Sequence, residues 1–331
     1  MEITRMTNLK LPRRNFLHLA AGAAALPAAS RIASADTYPS RPVRIVVGFP
    51  AGNASDTIAR LAAQNLSERL GQSFLIENRP GAGGNIGAEA VVKAPSDGYT
   101  LLSVGISASI NATLYDKLNF NFMHDIAPAA SICSVPNVMV VNPSVPAKTV
   151  PEFIAYAKAN PGKINMASAG NGSASHLAGE LFSIMAGVDL VHVPYRGSFL
   201  PDLLAGQVQV VFGPMPVAIA NIRIGKLRAL AVTSAARSAA LPDIPTVGET
   251  VPGYEASAWY GLGAPKNTPA EIIAKLNKET NAGLTDPKMK ARLSDIGAVP
   301  TPMTSDEFGK LIAAETEKWG KVIRAANIKP D

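Results

Sequence analysis

Two similar stretches give the strongest indication of the fold: RIVVGFPAGNASDTIARLAAQNL at residues 44–66 and KINMASAGNGSASHLAGELF at residues 163–182. Each begins as an apolar, strand-like run, passes through a turn of Ala, Gly, Asn and Ser, and becomes a helical pattern. The turns, 51–55 and 169–173, lie 118 positions apart. The first N–H groups of a helix lack partners within it and the helix dipole is positive there, so each turn suits an anion. The pair predicts a small anion held between two domains.

The rest of the chain alternates strand-like and helical patterns. Helical patterns over 56–70 and 175–186 stop at Gly71 and Gly187, and Thr-x-x-Glu sequences starting at Thr149, Thr268 and Thr304 predict three more helix starts. Strands are predicted at 43–48, 74–77, 99–104, 164–168, 190–193, 208–213 and 227–233. This alternation indicates mostly parallel sheets flanked by helices, with both turns at the carboxyl ends of strands, where such sheets bind ligands.

Two extended runs, 126–141 and 254–264, interrupt this alternation. Strands that leave one domain and enter another would produce this pattern, and two crossings would make the N-terminal domain discontinuous. Ordinary edge strands interrupted at Pro128 and Pro136 are the alternative. We favour two crossings, because the runs flank the second turn.

The first 35 residues resemble an export signal. Arg13-Arg14-Asn15-Phe16-Leu17 is a twin-arginine signature, an Ala/Gly-rich apolar stretch follows, and Ala33-Ser34-Ala35 is an A-x-A cleavage site. The apolar stretch is shorter than the roughly 20 residues that a membrane span needs. We therefore predict that residues 1–35 are removed and that the protein is periplasmic.

Removal of this segment changes the charge argument. The full chain carries 31 Lys and Arg against 25 Asp and Glu, whereas residues 36–331 carry 26 against 24. The basic character thus lies largely in the leader and gives no argument for nucleic-acid binding. The single cysteine, Cys133, excludes an intramolecular disulfide and a cysteine-based metal site. A hydrophobic fraction of 47% supports a core, and 296 remaining residues suit two domains.

Three local patterns superficially suggest catalysis, a metal site or a cofactor site. Ser173 and Ser175 precede His176, but no G-x-S-x-G accompanies them, so we expect His176 to cap the helix or line the cleft. His176 and His192 lack the spacing of a metal site, and we predict no metal. The glycine-rich run 81–87 mimics a dinucleotide fingerprint but has Ile86 where the third Gly belongs. A tight turn that allows close helix–sheet packing is favoured there, and no cofactor is expected.

Eight motifs follow one another along the chain: YPSRPVRIVVGFPAGNASDTIAR (38–60), IENRPGAGGNIGAEAV (76–91), SDGYTLL (96–102), SAGNGSASHLAGELF (168–182), VPYRG (193–197), GKLRALAVTS (225–234), LPDIPTVGE (241–249) and WYGLGAPKNTP (259–269). In these motifs the chain resembles the Bug family of periplasmic solute-binding proteins, the receptor components of tripartite tricarboxylate transporters. The resemblance covers residues 36–331 nearly end to end. It implies a two-domain clamshell of the type II periplasmic-binding-protein class with two crossing strands. The predicted domains are 36–132 with 262–331, and 133–261.

The resemblance also implies a site, in which backbone amides and small hydroxyl side chains hold a carboxylate. The family usually has a second Gly where Asn53 stands, so the first turn departs from its pattern there. Asp56 is predicted either to cap the helix or to meet an amino or hydroxyl group of the ligand; Phe49 and Tyr195 are predicted walls, with core packing an equal alternative for Phe49. The predicted ligand-binding residues are Phe49, Ala51, Gly52, Asn53, Ala54, Ser55, Asp56, Ala169, Gly170, Asn171, Gly172, Ser173, His176 and Tyr195.

Three functions from different classes remain. The favoured one is a monomeric, non-enzymatic receptor that passes a small carboxylate to a membrane transporter with a large and a small multi-span subunit. A periplasmic sensor that presents a similar ligand to a signalling protein is the second. A secreted hydrolase built on Ser173 or Ser175 with His176 is the third and least favoured.

Overall fold

The computed structural model describes residues 38–115, 117–195 and 198–330. Contacts divide the chain into a short unit, Met1–Ser40, and a main unit, Arg41–Asp331, which contains every element below. The predicted leader, residues 1–35, lies outside the described residues.

The main unit contains two sheets. Their strands are β1 Val43–Val47, β2 Phe74–Asn78, β3 Thr100–Gly105, β4 Ile126–Val135, β5 Asn137–Val141, β6 Asn165–Ser168, β7 Val191–Pro194, β8 Val210–Pro214, β9 Arg228–Val232, β10 Ala258–Pro265 and β11 Val299–Pro300. The first sheet has six strands in the order β11-β4-β10-β3-β1-β2, and the second has five in the order β7-β6-β8-β5-β9. Each of the seven strands predicted from the alternation is present, with bounds shifted by at most two residues. The extended run predicted from residue 254 begins as a strand at Ala258.

Helices flank both sheets. The helices are α1 Ala54–Leu70, α2 Asn85–Val92, α3 Ile106–Leu114, α4 Phe122–Asp125, α5 Val150–Ala159, α6 Ala174–Ala186, α7 Leu200–Ala205, α8 Met215–Arg223, α9 Ala270–Leu284, α10 Pro287–Asp295 and α11 Ser305–Ala325. Of these, α1, α2, α9 and α11 pack on the first sheet, and α6 and α8 pack on the second. Short 3-10 turns lie at Ala82–Gly84 and Val247–Glu249.

The chain crosses between the sheets where the extended runs predicted. β4 belongs to the first sheet and, after Pro136, continues as β5 of the second; the chain returns to the first sheet in β10. Hydrogen bonds join the two crossings, since the Thr233 hydroxyl accepts from the Asn137 N–H at 2.9 Å and the Thr233 carbonyl accepts from the Ala256 N–H at 2.9 Å. The two-domain α/β fold class is thus confirmed.

The sheets are mixed rather than mostly parallel. β1 pairs in parallel with β2 and β3, and β6 with β7 and β8, as the alternation of strands and helices requires. The crossing strands pair antiparallel with their neighbours: β10 with β3 and β4, and β5 with β8 and β9. The crossings therefore supply the antiparallel half of each sheet.

Two of the three predicted helix starts have the expected cap. Thr304 and Glu307 form a reciprocal capping box at α11, and the Thr149 hydroxyl accepts from the Glu152 N–H at 3.3 Å at α5. At Thr268 the predicted helix is present, but the expected cap is not. α9 begins after Pro269 without a side-chain cap, because the Thr268 hydroxyl donates back to the Pro265 carbonyl at 2.7 Å.

The glycine-rich run packs a helix closely on a strand. A Cβ on Gly48, at the end of β1, would lie 2.7 Å from the Gly84 Cα, and a Cβ on Gly87 would lie 2.9 Å from the Gly48 Cα. Three glycines thus let the start of α2 touch the backbone after β1. This contact supports the packing interpretation of the run rather than the dinucleotide one.

Candidate functional site

Three helix N-termini meet at one cavity of about 390 Å³, which we call the cleft. α1 and α3 follow β1 and β3 of the first sheet, and α6 follows β6 of the second, so each helix starts beyond the carboxyl end of a parallel strand. The cleft is lined by Phe49, Asn53, Ala54, Ser55, Gly83, Gly105, Ile106, Ser107, Ile110, Asn111, Leu114, Tyr115, Ala169, Asn171, Gly172, Ser173, Ala174 and Tyr260.

The first turn is fixed by Asn53. Its side chain caps α1 by accepting from the Asp56 N–H at 2.9 Å, and its backbone is extended, with φ −81° and ψ 175°. Asn53 therefore needs no glycine-like conformation, and its departure from the family pattern supplies a helix cap. The left-handed residue of the turn is Gly52, with φ +86°.

The buried carboxylate of Asp56 stabilises the first turn through hydrogen bonds. Its side chain is 2% exposed and accepts from Gly52 N–H at 2.9 Å, from Arg60 Nε and Nη2 at 2.9 and 3.0 Å, and from Asn78 Nδ2 at 2.9 Å. Burial raises the pKa of this carboxyl, but the hydrogen bonds from Arg60, Gly52 and Asn78 outweigh burial and lower the pKa to about 2. The carboxylate is thus occupied within the protein and does not line the cleft.

The second turn, before α6, is fixed by serines. The Ser173 hydroxyl caps α6 by accepting from the His176 N–H at 3.3 Å, and the Ser175 hydroxyl accepts from the Ala169 N–H at 3.0 Å. Gly170 and Gly172 adopt φ of +111° and +68°, which the turn requires. The helix start of α6 therefore faces the cleft through Ser173 and Ala174.

His176 stabilises the second turn without lining the cleft. Its Nδ1 accepts from the Gly172 N–H at 3.1 Å, so the proton lies on Nε2, which is 3.3 Å from Glu180 Oε1. The ring is buried and stacks on His192, with centroids 3.5 Å apart. These contacts differ from a Ser–His catalytic pair, in which the histidine nitrogen accepts from a nucleophile hydroxyl.

The third helix start was missed by the sequence reasoning. α3 follows Gly105 without a side-chain cap. The first N–H groups of a helix have no partner within the helix, so this helix start also suits an anion. The available signal was a buried strand ending in Gly105 with a hydroxyl residue two positions later. Without the Asn and Gly of the other two turns, this sequence looks like a continuing strand.

The predicted site residues divide into two groups. Phe49, Asn53, Ala54, Ser55, Ala169, Asn171, Gly172 and Ser173 line the cleft. Ala51, Gly52, Asp56, Gly170, His176 and Tyr195 are absent from its lining. The Tyr195 ring packs against the core of the second sheet, and its hydroxyl donates to Asp202 Oδ2 at 2.6 Å, which raises its pKa to about 12.

Backbone groups dominate the electrostatics of the cleft. No Asp, Glu, Lys, Arg or His is among its lining residues in the described part of the chain; Arg196 lies outside that part. The helix starts, with their N–H groups and positive dipole ends, therefore supply the positive potential. Phe49, Ile110, Leu114 and Tyr260 supply apolar walls. The arrangement suits a small anion with an apolar body.

Comparison with known proteins identifies the family. The sequence model of the family described as "Tripartite tricarboxylate transporter family receptor" matches residues 58–328. The chain belongs to this receptor family. The receptor is 38% identical to Protein BugT of Bordetella pertussis over 301 residues, covering 89% of this chain and 92% of BugT. Membership in a solute-receptor family, rather than an enzyme family, agrees with the contacts of His176.

Solved structures of similar proteins share the fold. The receptor matches R. palustris Rpa4515 with adipate at 38% identity and a TM-score of 0.78, over 89% of this chain and 100% of that one. It matches MatC from Rhodopseudomonas palustris with bound malate at 33% identity and a TM-score of 0.73, over 86% and 100%.

The described residues lack two further features. No helix among them is long and apolar enough to cross a membrane. Within the same residues, no three His, Cys, Asp or Glu side chains are grouped so that they could hold a metal ion.

Proposed function

We propose that this receptor captures a small carboxylated solute in the cleft and delivers it to a tripartite membrane transporter. The observation that carries the proposal is the convergence of three helix N-termini on a cavity without charged lining residues among those described. The relatives described with adipate and with malate support a carboxylate as the solute. The transporter's large and small membrane subunits are the proposed partners, and a monomer the proposed state.

The proposal gives each turn a role. The Ala54 and Ser55 N–H groups of α1, the Ala174 N–H group of α6 and the Ser173 hydroxyl would bind the carboxylate. A helix start contributes up to about 2 kcal/mol to a partly buried anion, and a hydrogen bond to a charged group contributes about 1.5–3 kcal/mol. A few such contacts, less the cost of ordering the ligand, support micromolar binding at about −8 kcal/mol. The proposed domains, 36–132 with 262–331 and 133–261, would close over it.

A thermal-shift screen against small carboxylates tests the binding. A ligand that binds only the folded state raises stability by about 2.7 kcal/mol at a concentration of 100 times its Kd. We expect at least one acid to raise the melting temperature of protein purified from the periplasm of an expressing host. N-terminal sequencing of the same sample tests removal of residues 1–35. A panel in which no acid stabilises the protein would contradict the proposal.

Two cap variants test the place of binding. Ser173→Ala removes the cap of α6 at the cleft, whereas Thr149→Ala removes an equivalent cap of α5, which does not line the cleft. Each substitution should cost about 1 kcal/mol of folding stability. Only Ser173→Ala should also weaken binding of the stabilising acid. Equal affinities of the two variants would refute the proposed site.

Delivery is tested separately in vesicles that contain the transporter's large and small subunits. Uptake of the stabilising acid should depend on added receptor. Uptake that is the same with and without the receptor would contradict the transport role and leave the binding intact.

A further inference from the structure

A second, smaller cavity lies next to the cleft in the first sheet's domain. It holds about 30 Å³ and shares Phe49, Gly83, Gly105, Ser107 and Asn111 with the lining of the cleft. We call this cavity the Asn85 pocket, after the amide that lines it at the first position of α2. At about 10–15 Å³ for each water-sized group, it has room for two or three non-hydrogen atoms.

Asn85 has an unused donor in this pocket. The residue is 8% exposed, its Oδ1 accepts from Asn111 Nδ2 at 2.9 Å, and its buried Nδ2 has no hydrogen-bond partner. Asn111 Nδ2 also donates to the Gly83 carbonyl at 2.9 Å, so Asn111 fixes which end of the Asn85 amide is free. A buried amide donor without an acceptor is costly, which indicates that something accepts from it.

The start of α3 adds further donors at the same place. Gly105, Ser107 and Ala108 line the Asn85 pocket, and α3 has no side-chain cap. The first N–H groups of a helix have no partner within the helix and carry the positive end of its dipole. A helix start and an unpartnered buried amide thus face one small space. Groups that need acceptors suit an oxygen and reject an ammonium, which would have to donate.

We propose that the Asn85 pocket binds a second oxygen-bearing group at the far end of the ligand. The proposal rests on the proposed function and narrows its ligand to elongated acids with a distal carboxylate or hydroxyl. One end of the acid lies between the starts of α1 and α6, its chain passes Phe49, and its far oxygen accepts from Asn85 Nδ2 and the start of α3. Asn85 is then a specificity-determining residue, and Asn111 positions it.

Acids of equal length with different ends test the proposal. Saturated chains of four to eight carbons are titrated calorimetrically as the diacid, the ω-hydroxy acid and the plain monoacid. For the length that fits, a diacid should bind about tenfold or more tightly than the plain acid if the far group is a carboxylate, the range expected for one hydrogen bond to a charged group. If the far group is a hydroxyl, the hydroxy acid should bind about three- to tenfold more tightly than the plain acid, because that bond is neutral. The two oxygen-bearing classes distinguish a carboxylate from a hydroxyl.

Variants assign this preference to the pocket. Asn85→Ala should lower the affinity for the oxygen-ended acid about tenfold and leave the plain acid unchanged, and Asn85→Asp should reject the diacid more than the hydroxy acid. Ala88→Val fills the pocket without touching the amide and should give the same selective loss. Thr280→Val removes another buried, unpartnered side-chain group, on α9 outside the cleft, and should leave every ratio unchanged.

The outcomes separate this proposal from the general function. If the wild-type protein binds plain and oxygen-ended acids equally, or if Asn85→Ala and Ala88→Val weaken both to the same extent, the Asn85 pocket holds only water and the proposal is overturned. If no acid binds to the wild-type protein, the proposed function itself fails. Melting temperatures without ligand identify a variant that has lost its fold. If Asn85→Ala or Ala88→Val is lost in this way, the other variant and the preference of the wild-type protein for oxygen-ended acids decide whether the proposal stands.

Discussion

Replacing Asp56 with asparagine removes one charge from the interior of the first turn and changes little else in volume. The carboxylate accepts from Gly52 N–H, Arg60 and Asn78 Nδ2, whereas an asparagine offers one oxygen and turns an NH₂ group toward donors. The substitution therefore breaks contacts that hold the loop before α1.

The pKa of Asp56 sets the magnitude. Hydrogen bonds lower it from 3.8 to about 2 in the folded protein, despite the opposing effect of burial. At about 1.4 kcal/mol for each pKa unit, the ionised form contributes about 2 kcal/mol to folding at neutral pH. The full shift corresponds to about 2–3 kcal/mol. The lower figure of about 2 kcal/mol allows for screening by water, since the Arg60 side chain is 53% exposed.

The sign of the pH dependence follows from the direction of the shift. Because the folded pKa lies below the unfolded one, the contribution is complete above about pH 5 and is lost as the pH falls through 4 toward 2. The stability difference between wild type and Asp56→Asn should therefore narrow by about 1 kcal/mol between pH 6 and pH 3.

Urea-induced unfolding at pH 6 and pH 3 measures the loss of stability caused by Asp56→Asn and the change of that loss with pH. Glu249→Gln is the matched control, since hydrogen bonds from Arg237 and Thr246 lower the pKa of this carboxyl to about 2 also, but at an exposed position. Glu249→Gln should lower the free energy of unfolding less than Asp56→Asn does, and its effect should decline with added salt. The effect of Asp56→Asn should persist in salt. An Asp56→Asn protein as stable as wild type at pH 6, or equally destabilised at both pH values, would refute the reasoning.

Two further predictions concern Gly172 and Cys133. A Cβ at Gly172, where φ is +68°, would overlap Leu114 Cδ2, so Gly172→Ala should lower both the stability of the protein and its affinity for a stabilising acid. The control is Gly187→Ala, at a position with φ +62° and no atom within 4 Å of the added Cβ. In the same thermal-shift assay this control should lower stability alone. Burial raises the pKa of the Cys133 thiol to about 12, so a thiol reagent should label the protein at pH 8 only as fast as it unfolds. Immediate labelling of the native protein would contradict this.

Local sequence predicted the elements better than their directions. Glycines at 71 and 187 stop their helices as expected, with left-handed φ at both positions. The antiparallel pairing of β5 and β10 was not predicted, because an apolar run has the same pattern in either direction. Direction is set by the crossings, which depend on contacts distant in sequence, such as that between Thr233 and Asn137.

The candidate site was partly predictable for a related reason. The turns before α1 and α6 contain Gly, Asn and Ser, whose conformational and capping preferences are local and recognisable. The start of α3 has none of this, and its place at the cleft follows from the position of β3 beside β1 and β10 in the sheet. Asp56 and His176 were predicted to bind the ligand, but neither lines the cleft. Their partners, Arg60 and Glu180, lie on the following helical turn and engage both side chains within the protein.

The donors at the three helix starts belong to the backbone, and only a proline substitution removes such a group. The walls beside them, Phe49, Ile110, Leu114 and Tyr260, are side chains that mutation can replace one at a time. Substitutions at these wall positions change the length and breadth of the cavity, whereas the backbone donors at the helix starts remain. The fold thus transmits the general chemistry of the site to descendants, and the walls leave each lineage free to acquire a different solute.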